Sequence, residues 1–143
     1  MSRKERTVRL SYEQAARIVA AGLRRARETG SPSSVAVLDD GRNLLAFGRG
    51  DGAILASVEV SIAKAYTAGS LRMPTGDLAK YVQPGGPFYG LAGSHGQPFI
   101  PFGGGRPLLA GGELAGAVGA AGGTPDQDDD VAEAAVRAFM EEA

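Results

Sequence analysis

The pattern of apolar and polar positions predicts a helix near the start of the chain. Apolar side chains recur at helical spacing between Tyr12 and Ala26. Ser11 and Gln14 stand three residues apart, which is the spacing of a capping box at the beginning of a helix. Gly30 supplies the residue type that most often ends one. We therefore predict a first helix between Ser11 and Gly30.

Similar signals predict two more helices. An alanine-rich apolar segment from Ile54 to Ser70 has helical spacing. Near the end of the chain, Thr124 and Gln127 form a second capping box, and Pro125 suits the first helical position. The acidic run Asp128–Asp130 follows, where the helix dipole favours negative charge. We interpret that run as a solvated first turn of the last helix.

Short runs of β-branched, aromatic and other apolar residues predict five strands joined by glycine-rich turns. We place the strands at Ser34–Leu38, Asn43–Phe47, Phe99–Phe102, Pro107–Ala110 and Leu114–Ala121. Gly41, expected at positive φ, and the pair Gly111–Gly112 indicate hairpin turns. Because hairpins occur and strands do not alternate regularly with helices, we predict an α+β fold. It would be a single domain with an antiparallel sheet flanked by helices.

Composition narrows the possible function classes. The 143 residues include 22 glycines, one histidine and no cysteine. The absence of cysteine excludes disulfides, thiol nucleophiles and thiolate metal sites, and one histidine excludes two-histidine motifs within a chain. We therefore predict no metal site. Lys plus Arg is 15 and Asp plus Glu is 16, a balance that argues against nucleic-acid binding.

The hydropathy of the chain bears on its location. No run of 18 apolar residues occurs, so we expect no membrane-spanning helix. Residues 1–9 are basic, but no apolar run of a signal peptide follows them. We interpret residues 1–9 as a flexible tail and residues 10–143 as the domain, and we expect a cytoplasmic protein.

The three consecutive glycines Gly103, Gly104 and Gly105 are the most conspicuous motif. Three residues without a Cβ let a backbone or a flat ligand come very close, and their successive amides are suited to an anion. A turn that leads into a strand explains the same residues without any ligand. Both interpretations stay open at this point.

Four other residues are candidates for chemistry. Lys64 and Thr67 lie one helical turn apart among alanines, so both can face a pocket, where the lysine would meet a carboxylate or a propionate. The alternative is a surface lysine whose stem lies along the protein. His95, in a glycine-flanked loop, and Asp51, before the second helix, are candidates for acid–base work. An exposed loop residue without a catalytic role is the alternative for His95.

A set of short segments follows a characteristic order along the chain: Ser34–Gly41, Asn43–Asp51, Ala56–Ala68, Pro84–Pro87, Tyr89–Leu91, Pro101–Leu108, Gly119–Thr124, Gln127–Asp128 and Val131–Ala132. Taken in this order, they resemble the GlcG/HbpS-like family, also called the haem-degrading domain family, which is related to the C-terminal domain of PduO-type proteins. The resemblance covers about residues 10–143. It implies a five-stranded, profilin-like antiparallel sheet and a homo-oligomer, from a dimer up to an octamer.

The resemblance also implies a protein that binds a small-molecule ligand, with haem or another tetrapyrrole as the expected cofactor. We place the pocket between Lys64 and Thr67 on the second helix and the segment Gly103–Gly105. The aromatic walls of this pocket would be Phe88, Tyr89 and Phe102.

The single histidine limits how haem iron could be held, because two-histidine ligation within one chain is impossible. The iron would need His95, a tyrosine, a methionine or the hydroxyl of Thr67. Two alternatives to haem binding remain. One is a cofactor-independent enzyme acting on a small organic acid or a biosynthetic intermediate, with Lys64, His95 or Asp51 in acid–base chemistry and the amides of Gly103–Gly105 stabilising an oxyanion. The other is an oligomeric structural or regulatory module.

Overall fold

The computed structural model describes residues 9–94 and 96–142, which form one antiparallel sheet, three α-helices and two short 3₁₀ helices. The α-helices are α1 (Tyr12–Glu28), α2 (Ser57–Leu71) and α3 (Pro125–Glu142). The strands are β1 (Ser34–Asp39), β2 (Leu44–Arg49), β3 (Gly105–Ala110) and β4 (Glu113–Ala121). The 3₁₀ helices are Thr75–Tyr81 and Leu91–Gly93. The predicted α+β class and single domain are confirmed. Residues 1–8 of the predicted tail lie outside the described residues.

Both predicted capping boxes are present. The Gln14 N–H donates to Ser11 Oγ at 3.0 Å, and the Ser11 N–H donates to Gln14 Oε1 at 3.3 Å. At the start of α3, the Thr124 N–H donates to Gln127 Oε1 at 2.9 Å, and the Gln127 N–H donates to Thr124 Oγ1 at 3.2 Å. These bonds satisfy N–H groups that a helix leaves unpaired at its beginning.

The sheet separates two apolar cores. Its strand order is β2-β1-β4-β3, and every neighbouring pair is antiparallel. Side chains alternate across a strand, so Val35 and Val37 of β1 pack in one cluster with α1 and α3. Ala36 and Leu38 pack in a second cluster with α2. The helix α2 therefore lies on the face of the sheet opposite α1 and α3.

Among the described residues the sheet has four strands, and the prediction of a strand at Phe99–Phe102 is wrong. This segment is irregular. It follows Pro98 and contains Pro101, and proline lacks the N–H group that a strand donates to its neighbour. Its backbone bonds instead to side chains elsewhere. The Ile100 N–H donates to Thr67 Oγ1 at 2.9 Å, and the Phe102 carbonyl accepts from Thr75 Oγ1 at 2.6 Å. The profilin-like assignment stays a prediction.

The two predicted hairpins are present, but the first turns differently from expectation. The residue with positive φ is Arg42, at 67°, and not Gly41. The Asp39 carboxylate accepts the N–H groups of Gly41 and Asn43, which holds the turn without a left-handed glycine. In the second hairpin, Gly111–Gly112 has positive φ at both positions, as a two-residue turn requires.

Candidate functional site

Lys64 has one of the largest fully buried side chains among the described residues. It projects from α2 past the end of β4 toward the start of α3. Its Nζ donates to the Ala120 carbonyl at 2.9 Å and to Asp128 Oδ2 at 2.7 Å. The interpretation as a surface lysine is therefore wrong. The lysine does meet a carboxylate, but that carboxylate belongs to its own chain.

Asp128 is the residue of this site that the sequence interpretation missed. Its side chain is buried, and its second oxygen accepts the Gly123 N–H at 2.8 Å. The two residues after it are also paired: Asp129 with Arg106 and Asp130 with Arg25, each through two hydrogen bonds. The prediction of a solvated first turn is therefore wrong for Asp128, which is buried, whereas Asp129 and Asp130 stay partly exposed beside their arginines.

The Lys64 ammonium is completely removed from solvent. Burial lowers the pKa of Lys64, because removal from water penalises the charged form, and the Asp128 carboxylate offsets only part of that penalty. Two of the three N–H donors have the acceptors described above. The Phe102 ring also lies close to the ammonium: its centroid is 5.1 Å from Nζ, which is within the range of a cation–π interaction.

Two of the three glycines, Gly104 and Gly105, pack tightly against this lysine. A Cβ on Gly104 would lie 2.6 Å from Lys64 Nζ and 2.5 Å from the Ala120 carbonyl oxygen, and Gly104 has a φ of 127°. A Cβ on Gly105 would lie 2.5 Å from the Lys64 carbonyl oxygen. The Gly105 amide already donates to Thr75 Oγ1 at 2.9 Å. Of the two sequence interpretations, the structure therefore favours close packing of the chain on itself at Gly104 and Gly105.

A small cavity lies beside the ion pair. Its volume is about 140 Å³, and it is partly open to solvent. Ile54, Val60 and Phe102 supply its apolar walls, while Lys64 and Asp128 lie at its polar side. The arrangement combines an amine, a carboxylate and an exposed aromatic ring in a space suited to a few non-hydrogen atoms.

Other predicted pocket residues lie apart from this cavity. The Thr67 hydroxyl is fully buried, donates to the Ala63 carbonyl at 2.7 Å and accepts from the Ile100 N–H. Phe88 and Tyr89 are exposed and follow the first 3₁₀ helix; neither lines the cavity. The structure thus brings together Lys64, Phe102 and the glycines, and leaves Phe88 and Tyr89 elsewhere.

Of the two remaining acid–base candidates, Asp51 lies away from this site. Asp51 lines a separate cavity of about 390 Å³ with Arg27 and Arg49. His95 lies outside the described residues. Within residues 9–94 and 96–142, no cluster of three or more acidic or histidine side chains is placed to hold a metal ion. No helix in that part of the chain is long and apolar enough to cross a membrane.

The fold and the site define a small α+β domain in which a buried lysine–aspartate pair flanks a cavity with an aromatic wall. A model of the family described as "Haem degrading protein HbpS-like" matches residues 10–137. The chain therefore belongs to the GlcG/HbpS-like family, which is related to a domain of PduO, as its sequence segments indicated.

Three relatives illustrate the breadth of this family. An uncharacterized 15.0 kDa protein from the dhaT-dhaS intergenic region of Citrobacter freundii is 37% identical over 99% of both chains. The corrinoid adenosyltransferase PduO of the same species is 33% identical over 95% of this chain, which spans 41% of that protein. The crystal structure of a PduOC–haem complex has a TM-score of 0.87 and 34% identity, with 92% of this chain and 95% of the other covered.

Proposed function

We propose that this protein binds haem or a related tetrapyrrole against the apolar surface at the mouth of the small cavity. The observation that carries the proposal is the exposure of large apolar side chains there. Ile54 is 62% exposed, Leu55 73% and Phe102 43%. A patch of this kind on a folded domain is typical of a binding surface. The PduOC–haem complex, which has a similar fold, supports the choice of ligand.

The dimensions of the cavity decide how such a ligand would lie. At about 140 Å³ the cavity is below the roughly 300–1,000 Å³ of ordinary ligand pockets, so a tetrapyrrole would cover its mouth rather than enter it. Phe102 and Ile54 suit the face of a flat ring. Lys64 is already paired with Asp128, and the Thr67 hydroxyl already donates one hydrogen bond and accepts another within the protein. We therefore assign ring contact to Phe102, and His95, the sole imidazole of the chain, is the candidate iron ligand.

Titration with haemin, followed by the Soret band, tests this proposal. Phe102→Ala is expected to weaken binding by about tenfold or more, because the lost ring contact is worth roughly 1.5–3 kcal/mol. Tyr89→Ala is the matched control, since Tyr89 is an exposed aromatic residue away from the cavity. His95→Ala is expected to move the Soret maximum of the bound form. No Soret change in the wild-type protein, or equal losses in the Phe102 and Tyr89 variants, would contradict the proposal.

We also propose that the protein is a homo-oligomer and that the segment leading into α2 lies at its interface. Leu55 is exposed there, and α2 carries apolar side chains such as Val58 and Ile62 on sides that the sheet covers only in part. A second copy would supply the wall that the open cavity lacks.

Sedimentation analysis measures the assembly directly. We expect the wild-type protein to sediment as a dimer or a larger species, up to an octamer of its 14.6 kDa chain. Leu55→Glu should lower the mass, because a charge in an apolar interface has no partner. Met140→Glu, at an exposed apolar residue on α3, should leave it unchanged. A monomeric wild-type protein would refute the proposal.

A further inference from the structure

We propose that Lys64 forms a reversible imine with a small aldehyde that enters the adjacent cavity, with Asp128 carrying the proton. This activity is separate from haem binding and does not require it. The argument uses four features of the described residues: the size of the cavity, the position of the amine, the exposed ring of Phe102 and the paired carboxylate.

The cavity selects a small, partly apolar compound. Its volume of about 140 Å³ equals the share of roughly five water molecules in the liquid, so it has room for about five non-hydrogen atoms. Ile54, Val60 and Phe102 would contact the hydrocarbon part of the compound. Lys64 and Asp128 stand at the side where its carbonyl group would lie. A short aliphatic aldehyde fits this combination of volume and polarity.

Phe102 controls access to the amine. Lys64 is fully buried, and the Phe102 ring lies over its Nζ at 5.1 Å. Phe102 itself is 43% exposed and lies in an irregular segment between Pro101 and Gly103. Exposed side chains change rotamer within picoseconds to nanoseconds. A rotation of this ring toward solvent would open the cavity to the amine while the backbone stays in place.

The ion pair provides the proton transfers that imine formation needs. The Lys64 ammonium passes a proton to Asp128, whose Oδ2 is 2.7 Å from Nζ, and the neutral amine attacks the carbonyl carbon. The C–N bond forms as the carbonyl π bond breaks, and one proton then moves from the nitrogen to the alkoxide oxygen, which gives the carbinolamine. Asp128 returns the proton to the carbinolamine hydroxyl, which leaves as water. The products are one protonated imine and one water from one ammonium and one aldehyde. The iminium charge then stays paired with the Asp128 carboxylate.

The surroundings of Lys64 favour imine formation, because they favour the neutral amine. Desolvation lowers its pKa, which raises the fraction of neutral amine available for attack. Lys80 offers an internal comparison. It also lies near an aromatic ring, with Nζ 5.2 Å from the Tyr81 centroid, but it is exposed to solvent. The contrast between the two lysines therefore separates burial beside a carboxylate from mere proximity to an aromatic ring.

Reductive trapping tests the proposal on the wild-type protein without haem. Propanal and cyanoborohydride, which supplies the hydride that makes the adduct permanent, are added to the folded protein, and modified lysines are mapped by peptide mass spectrometry. We expect at least about tenfold more adduct at Lys64 than at Lys80. Phe102→Ala should increase labelling of Lys64 by removing the ring above it. Naphthaldehyde, too large for the cavity, should label Lys80 and spare Lys64.

Labelling of Lys80 with Lys64 unmodified, in both the wild-type protein and Phe102→Ala, would overturn the proposal. Equal labelling of Lys64 by propanal and naphthaldehyde would also overturn it, because local unfolding and not the cavity would then give access. Circular dichroism before and after the reaction verifies that the protein stays folded. Asp128→Asn, where it folds, should slow labelling at Lys64 and leave Lys80 unchanged. Since haem is absent throughout, failure here leaves the haem titration unaffected.

Discussion

Asp128→Asn is expected to destabilise the protein by about 3–5 kcal/mol, which lowers the Tm by on the order of 10 °C. The reason is the burial of its partner. Lys64 is fully buried, so the variant removes the only carboxylate described in contact with its Nζ and leaves the ammonium out of reach of water. Asparagine keeps the shape of the side chain and an oxygen for the Gly123 N–H. Urea denaturation and thermal melting followed by circular dichroism measure the loss.

Asp126→Asn is the matched control for this variant. Asp126 lies in the first turn of the same helix but is exposed. Removal of its charge affects only the interaction with the helix dipole, so the expected cost is below about 1 kcal/mol. The double variant Lys64→Met/Asp128→Asn should cost less than the sum of the two single changes, because no unpaired charge remains. Equal stabilities for Asp128→Asn and Asp126→Asn would show that the buried pair contributes nothing.

Gly119→Ala is expected to be at least as damaging, at about 3 kcal/mol or more. Gly119 lies in the middle of β4, between Ala36 of β1 and Gly105 of β3, where α2 crosses the sheet. A Cβ at this position would clash with the Ser61 carbonyl oxygen and lie 2.6 Å from the Ala65 nitrogen. Both atoms belong to the backbone of α2, so the helix itself would have to move away from the sheet.

Gly93→Ala supplies the comparison for that overpacked variant. A Cβ on Gly93 would meet no atom within 4 Å. The free energy of unfolding of the Gly93→Ala protein should therefore stay within about 0.5 kcal/mol of the wild-type value. The same denaturation measurements apply to both variants. A Gly119→Ala protein as stable as Gly93→Ala would mean that α2 can shift on the sheet at little cost.

The features predicted correctly from the sequence are those set by neighbours along the chain. Both capping boxes join residues three apart, Ser11 with Gln14 and Thr124 with Gln127. The Gly111–Gly112 turn requires only positive φ at two adjacent positions. Local signals of this kind act through bonds within one turn, so their residue types suffice to predict them.

The prediction of a strand at Phe99–Phe102 is wrong because a buried, irregular segment can have the same apolar pattern as a strand. The segment is apolar, and Phe99 is buried, as a strand residue would be. Its backbone groups, however, bond to the side chains of Thr67 and Thr75, which are remote in the chain. A hydroxyl that accepts a backbone N–H competes with a sheet partner, and the sequence of the segment does not show which partner it meets.

The candidate site was predictable in part. The sequence indicated that Lys64 and the segment Gly103–Gly105 face each other, and the structure places Gly104 against the lysine Nζ. Asp128 was assigned to solvent, because an acidic run at a helix start is explained by the dipole alone. Phe102 was expected as one of three aromatic walls, yet it lines the cavity without Phe88 or Tyr89.

By itself, the sequence determined the α+β class, the two ends of α1, the beginning of α3 and the family, because these depend on local bonds and on an ordered set of short motifs. Only the tertiary structure decided what Lys64 does. Its partner Asp128 is 64 residues away, and Arg25 meets Asp130 across 105 residues. The packing of the helices on the sheet decides which cation pairs with which carboxylate. The order of charged residues along the chain does not predict that packing.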